Sequence, residues 1–246
     1  MASDKKIVFI TGANTGLGFE VVRALAKSSN AYEVIVGCRR PEAGQKAIEL
    51  VNAETSSTTS TFAVVQVDLE SDDSLEKAVS EITSKYGHLD ILINNGGGNF
   101  DGEAASGKLT LRQALNKSWD VNVTGTHVLS TLAMPLLLKS KDPRLMFITS
   151  GTSSLTETES QEPPIFSRIN GYMPAGWPKN QGINPLTGYR SSKAGLNMLM
   201  REWVRTLGND GVKVFGISPG MLATGLAGVG AEKLKQVGQF VNSVCD

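Results

Sequence analysis

Short β-branched runs alternate with longer stretches of helical periodicity along most of this chain, and no other feature restricts its fold so strongly. The pattern predicts strands over residues 6–10, 32–36, 62–67, 89–93, 145–148 and 212–217, with helices over 17–27, 42–51, 71–86, 109–138 and 189–207. Ser71 or Asp72 supplies a cap for the third helix, Pro135 bends or ends the fourth, and Gly208 closes the fifth. Strands separated by helices of this length imply a parallel sheet covered on both faces, because each right-handed crossover must return across the sheet. A chain of 246 residues buries enough core for one domain spanning 1–246.

The alternation fails in two places. Between residues 154 and 188, Pro163, Pro164, Pro174, Pro178 and Pro185 break any helix, so this stretch is expected to be a functional insertion or to hold short elements that periodicity misses. Residues 220–246 offer one weak helix over 232–241 and no convincing seventh strand: a truncated C-terminal part forming a short cover.

Composition narrows the function classes. Twenty-four basic residues balance 24 acidic ones, which gives no support for nucleic acid as a partner. No apolar run approaches the roughly 18 residues a membrane span requires, and the first residues lack a secretory pattern. Only Cys38 and Cys245 are present, so a disulfide framework is excluded and the cytoplasm is the expected compartment. His88 and His127 stand apart, with no ligand spacing for a metal.

The stretch TGANTGLG, Thr11 to Gly18, leaves the first strand and opens the first helix. Gly12 permits the tight exit turn, Gly16 lets backbone approach a pyrophosphate, and Gly18 brings the helix close to the sheet. Asn14, Thr15 and Leu17 complete a turn whose N–H groups face an anion at the helix start. This reads as a dinucleotide cradle.

At the end of the second strand, an acidic residue would accept hydrogen bonds from an adenosine ribose and repel a 2′-phosphate. This chain has Cys38, Arg39 and Arg40 there. Guanidinium groups match phosphate and stack on adenine, whereas positive charge at a helix start is otherwise slightly unfavourable. The expected cofactor is therefore NADP(H), with Arg39 as the main contact and Arg40 as a second. Asp68, with Leu69 beside it, is expected to meet the adenine, although as a plain helix cap it would look the same.

YRSSK at Tyr189 to Lys193, taken with TGANTGLG, NNGG at Asn94 to Gly97, Asn122, Ser150 and PGMLAT at Pro219 to Thr224, strongly resembles the short-chain dehydrogenase/reductase family, from about Lys5 to Thr224. The resemblance implies a Rossmann-type, doubly wound sheet and reduction of a ketone or aldehyde by hydride transfer. Tyr189 is then the general acid/base, and the ammonium of Lys193, one helical turn on, is expected to lower its pKa. Lys193 would also bind the nicotinamide ribose. Ser150 would orient the substrate oxygen, with Ser153 a weaker substitute, and the Asn122 amide would hold a water that passes protons toward Lys193. Asn95, Gly96 and Gly97 line the cofactor path, where the family usually has alanine before the final glycine. Pro219, Gly220, Met221, Leu222 and Thr224 would orient the nicotinamide.

In the insertion, Ile169, Tyr172, Met173, Trp177, Ile183 and Leu186 form either a substrate wall, with Tyr172 and Trp177 foremost, or a satellite core. A wall of this kind suits a medium-sized hydrophobic or aromatic carbonyl. Similar insertions in monomeric carbonyl reductases of the family imply a monomer, while the general family tendency is toward dimers or tetramers. Two other functions fit the same residues: a cofactor-binding regulatory or scaffold protein, and a cofactor-assisted isomerase or lyase.

Overall fold

The computed structural model describes residues 5–55, 57–160, 169–177, 179, 186–220, 222 and 226. Its centre is a six-stranded parallel sheet in the order β3-β2-β1-β4-β5-β6, formed by β1 (Lys6–Thr11), β2 (Tyr32–Cys38), β3 (Thr61–Gln66), β4 (Ile91–Asn94), β5 (Arg144–Ile148) and β6 (Lys213–Ile217). Val8 pairs with Val34 on one side and Ile91 on the other, so β1 is central. Chain direction reverses its walk across the sheet between β1 and β4, which opens a crevice at their carboxyl ends.

Successive side chains of a strand point to opposite faces, and both faces here are apolar. Phe9, Ile35, Leu92 and Phe147 pack with Leu75 and Ile82 of α3 (Asp72–Tyr86), Leu129 and Leu137 of α6 (Gly125–Leu137), and Leu196 and Trp203 of α7 (Thr187–Thr206). Val8, Ile10, Val34 and Val36 pack the other way, against Val22 of α1 (Gly16–Lys27) and Ile48 and Val51 of α2 (Pro41–Glu54). Each fully buried side chain of this size contributes about 1.5–3 kcal/mol, so these two layers supply the main driving force. At the amino ends of the strands, Asp142 gathers Lys213, Lys6 and Arg144, one from the start of each of β6, β1 and β5. Their ammonium and guanidinium groups hold its carboxyl well below the usual carboxylate range.

Local signals account for the helix ends. Ser71, not Asp72, caps α3 by accepting from the Ser74 backbone N–H at 3.3 Å, and Gly87 ends it at φ 73°. Thr110 and Gln113 form a reciprocal capping box at the start of α5 (Leu111–Trp119). The expected single helix over 109–138 is divided: α5 passes into a π-helical turn at Asp120–Thr124 and continues as α6. There the Gly125 N–H reaches back to the Asp120 carbonyl, and the Thr126 hydroxyl donates to the Val121 carbonyl at 3.3 Å. Pro135 lies inside α6, which ends at Leu137 just beyond it.

The stretch after β4 contains the short α4 (Asp101–Ala105). The irregular segment after β5 holds two 3-10 turns, Gly151–Ser153 and Thr156–Glu159. The weak helix expected over 232–241 lies outside the described residues, as do Met221, Thr224 and Ile183. Among the described residues no helix is long and apolar enough to cross a membrane.

Candidate active site

The glycine-rich turn joins β1 to α1 beside the crevice. Gly12 and Gly16 hold φ of 63° and 57°, where a side chain would be strained. A Cβ on Gly18 would come within 2.5 Å of the Asn95 amide nitrogen, so the glycine admits that asparagine to the turn. Asn95 Nδ2 donates to the carbonyls of Thr11 at 2.8 Å and Gly12 at 3.1 Å. In return the Thr11 hydroxyl accepts from the N–H groups of Asn95 and Gly96, at 3.1 and 2.8 Å. The exits of β1 and β4 are therefore locked together. Helix α1 begins without a side-chain cap on Thr15 and without an acidic residue in its first turn, leaving its positive end available to a phosphate.

At the neighbouring exit, the Ala13 N–H donates to the Gly37 carbonyl at 3.1 Å, which draws the end of β2 against the turn. Cys38 faces inward, buried beside Gly44, where a Cβ would stand 2.8 Å from its sulfur; burial pushes the thiol's pKa up. Arg39 and Arg40 emerge into solvent immediately beyond. Asp68 lies past the end of β3 and is not a helix cap: its carboxylate accepts from the Glu70 N–H at 3.1 Å, while its own N–H donates to Ser74. Leu69 packs toward Gly96 instead, within 3.0 Å of where a Cβ there would be, so the alanine usual in the family would crowd this junction.

The candidate reacting groups converge from β5 and α7. Ser150 follows β5, and its hydroxyl lies within hydrogen-bond reach of the Tyr189 phenol and 2.9 Å from the Thr152 hydroxyl. Burial pushes the phenol's pKa up, and the bond from Ser150 opposes it. Lys193 does not lower it as expected. Its Nζ stands 5.9 Å from the centre of the phenol ring and donates to the Ile148 carbonyl at 2.8 Å. Burial lowers the pKa of Lys193 to about 8.

Asn122 reaches the site but performs different work from that expected. Its fully buried amide donates to the Gly98 carbonyl at 2.9 Å and the Ser192 hydroxyl at 3.0 Å, and accepts from the Gly98 N–H at 2.9 Å. Both amide hydrogens are occupied by protein, which leaves none for a relayed water. Gly97 makes the approach possible, since a Cβ there would lie 2.8 Å from the Asn122 oxygen and 3.4 Å from Lys193 Nζ. Asn94 turns away and donates to Ser130. Ser153 is a structural hydroxyl, donating to the Ser150 carbonyl at 2.6 Å and accepting from Asn197.

Two substrate residues are not part of the assembled site. Tyr172 and Trp177 are 96% and 81% exposed, so they build no wall among the described residues, where 171–177 form bends and irregular backbone. The segment's attachment is polar. Arg190, next to Tyr189, donates to the carbonyls of Thr152 and Ile169 and to the Asn170 side chain, at 2.7, 2.9 and 2.8 Å. Pro219 and Gly220 follow β6, with Gly220 at φ 76°. His88 stands 3.4 Å from Asp90, and His127 lies against the Trp203 ring.

Asp101, Gly98 and Ser192 escaped sequence reasoning. Asp101 accepts from the N–H groups of Gly188 and Tyr189 at 2.7 and 2.9 Å, 87 and 88 residues along the chain, so no local pattern marks it.

The sequence pattern of the short chain dehydrogenase family matches residues 6–160 and 179–234. The chain is 47% identical over 228 residues to the short-chain dehydrogenase/reductase eupG of Phoma sp, covering 92% of this chain and 80% of that protein. It is 42% identical to the short-chain dehydrogenase/reductase tropE of Talaromyces stipitatus, covering 91% and 81%. Among solved structures, the NADPH-bound carbonyl reductase from chicken fatty liver superposes with a TM-score of 0.71 at 22% identity, covering 92% of this chain and 83% of that one.

Proposed function

Because this chain belongs to the short-chain dehydrogenase family of oxidoreductases, we propose that it uses NADPH to reduce a ketone or aldehyde to an alcohol. The observation that carries this reading is the meeting of the Ser150 hydroxyl and the half-buried Tyr189 phenol, one helical turn from Lys193 and beside a glycine turn that suits a dinucleotide.

The cofactor fits the residues present: the α1 terminus is open to an anion, Gly12 and Gly16 allow backbone to approach it, and Arg39 and Arg40 lie exposed at the end of β2. When bound, the nicotinamide supplies a hydride to the carbonyl carbon. Ser150 donates a hydrogen bond to the carbonyl oxygen and holds it by Tyr189 as negative charge develops. Tyr189 gives its phenolic proton to that oxygen, and burial keeps the proton on the phenol until negative charge develops there. Lys193, positioned by the Ile148 carbonyl, would present its ammonium to the nicotinamide ribose.

A medium-sized hydrophobic or aromatic carbonyl is the proposed substrate. Leu155, Tyr172, Met173 and Trp177 expose apolar surface on the segment that Arg190 fastens beside Tyr189. The cytoplasm, with its supply of NADPH, is the proposed compartment.

Tyr189→Phe tests the chemistry. It is expected to lower kcat by at least a hundredfold, the scale of a lost general acid, while NADPH binding, read by fluorescence titration, is retained. Unchanged turnover with intact binding would overturn the mechanism.

A further inference from the structure

Tyr189 is held by its backbone as well as its side chain. Its N–H donates to the buried Asp101 carboxylate at 2.9 Å, beside the 2.7 Å bond from Gly188. Its carbonyl accepts from the Ser192 hydroxyl at 2.9 Å, and that hydroxyl accepts from Asn122, which is itself bonded twice to Gly98. Both grips originate in one short piece of chain, residues 95–101 after β4. The other end of this piece is bonded to the glycine turn through Thr11, Asn95 and Gly96.

The Asp101 seat has several dedicated parts. Leu186, at the N-cap of α7, offers no side-chain cap, so the carboxylate arrives from α4 to satisfy the first-turn donors. A Cβ on Gly188 would stand 3.1 Å from the carboxylate and 3.0 Å from the Ser118 hydroxyl, so the glycine admits both. The Asp101 N–H donates to the Asn99 side chain at 3.1 Å, which fixes the approach of α4. An anion at a helix N-terminus also complements the helix dipole.

We propose that Asp101 is a positioning residue for the reduction: through residues 95–101 it sets the place of the Tyr189 phenol relative to the dinucleotide turn. The proposal rests on the reductase reading above. An error of this kind slows the proton step without weakening the cofactor site, because the cradle on β1, α1 and β2 does not depend on Asp101. Asp101→Asn retains the shape and one acceptor but presents an amide to the second N–H; Asp101→Ala removes both bonds.

The test compares wild type with both variants for kcat, NADPH Kd, solvent deuterium isotope effect and amide exchange at Gly188 and Tyr189. Expected results are a kcat reduced about tenfold in Asp101→Asn and about a hundredfold in Asp101→Ala, the scale of a displaced catalytic group. The NADPH Kd stays unchanged, and the isotope effect grows as proton transfer becomes more limiting. A variant that merely misfolds in part loses kcat in proportion to its folded fraction with the isotope effect unchanged, and that result overturns the proposal. Asp101→Asn serves where Asp101→Ala does not fold. Amide exchange needs no substrate: faster exchange at both sites supports the clamp, and unchanged exchange overturns it. A wild type that oxidises no NADPH with any carbonyl, yet shows the exchange difference, would fail the reductase reading while leaving the clamp standing.

Discussion

Lys193 shows at a single residue how burial and chemistry compete. Its ammonium pays desolvation that the Ile148 carbonyl offsets in part, and its pKa falls to about 8. Its charge is therefore retained at neutral pH and lost as pH rises through about 8. We expect kcat/KM for NADPH, which reports ionisation of the free enzyme, to fall across that region; a profile flat to pH 10 would contradict it. The linkage to folding has the opposite sense: the unfolded chain holds this proton more tightly, so this group's contribution to stability increases from pH 8 toward its ordinary value of 10.5. Tyr189, Lys193 and Ser150 were legible because their types and spacing form a motif. The work of Asn122 was not, because a buried amide serves whichever groups the fold brings to it, and those were Gly98 and Ser192. Asp101 gave no signal, since its partners lie in another element.

At the scale of elements, the π-helical turn between α5 and α6 carries Asn122 into the site, and the next residue allows the helix to lie on the chain after β3. A Cβ on Gly125 would stand 1.9 Å from the Leu69 carbonyl oxygen, a backbone atom that cannot swing aside. Gly125→Ala is expected to destabilise the protein by about 3 kcal/mol, at the upper range for overpacking, visible as a lower urea midpoint; a midpoint within error of wild type would show that the two segments separate freely. Apolar periodicity located this helix but could not divide it, because one extra residue in a turn barely alters the repeat over so short a span. The strands were clearer. Their β-branched runs are bounded by glycine and polar residues, and most ends fall within two residues of expectation.

For the molecule as a whole, strand and helix alternation made a parallel sheet with two covered faces legible, while the strand order required coordinates. That order places the glycine turn, the arginines after β2 and the exit of β4 on one rim. Binding to the folded state alone stabilises it, by about 2.7 kcal/mol at a ligand concentration a hundred times Kd. NADPH is therefore expected to raise the melting temperature more than NADH at equal concentration, and Arg39→Ala to remove the excess. Equal shifts for the two dinucleotides in wild type would refute the phosphate preference. The insertion was legible as a break in pattern but not in its path, because prolines say where helices stop and nothing about where the chain goes.

The bonds linking Tyr189 to the β4 exit have a further consequence. Phenol and dinucleotide turn share a seven-residue calliper (95–101), while the exposed apolar groups of the 154–188 segment hang outside its jaws. On the reductase reading proposed above, substrate choice is portable: an outer segment of different shape can replace this one without recalibrating the gap between phenol and dinucleotide turn.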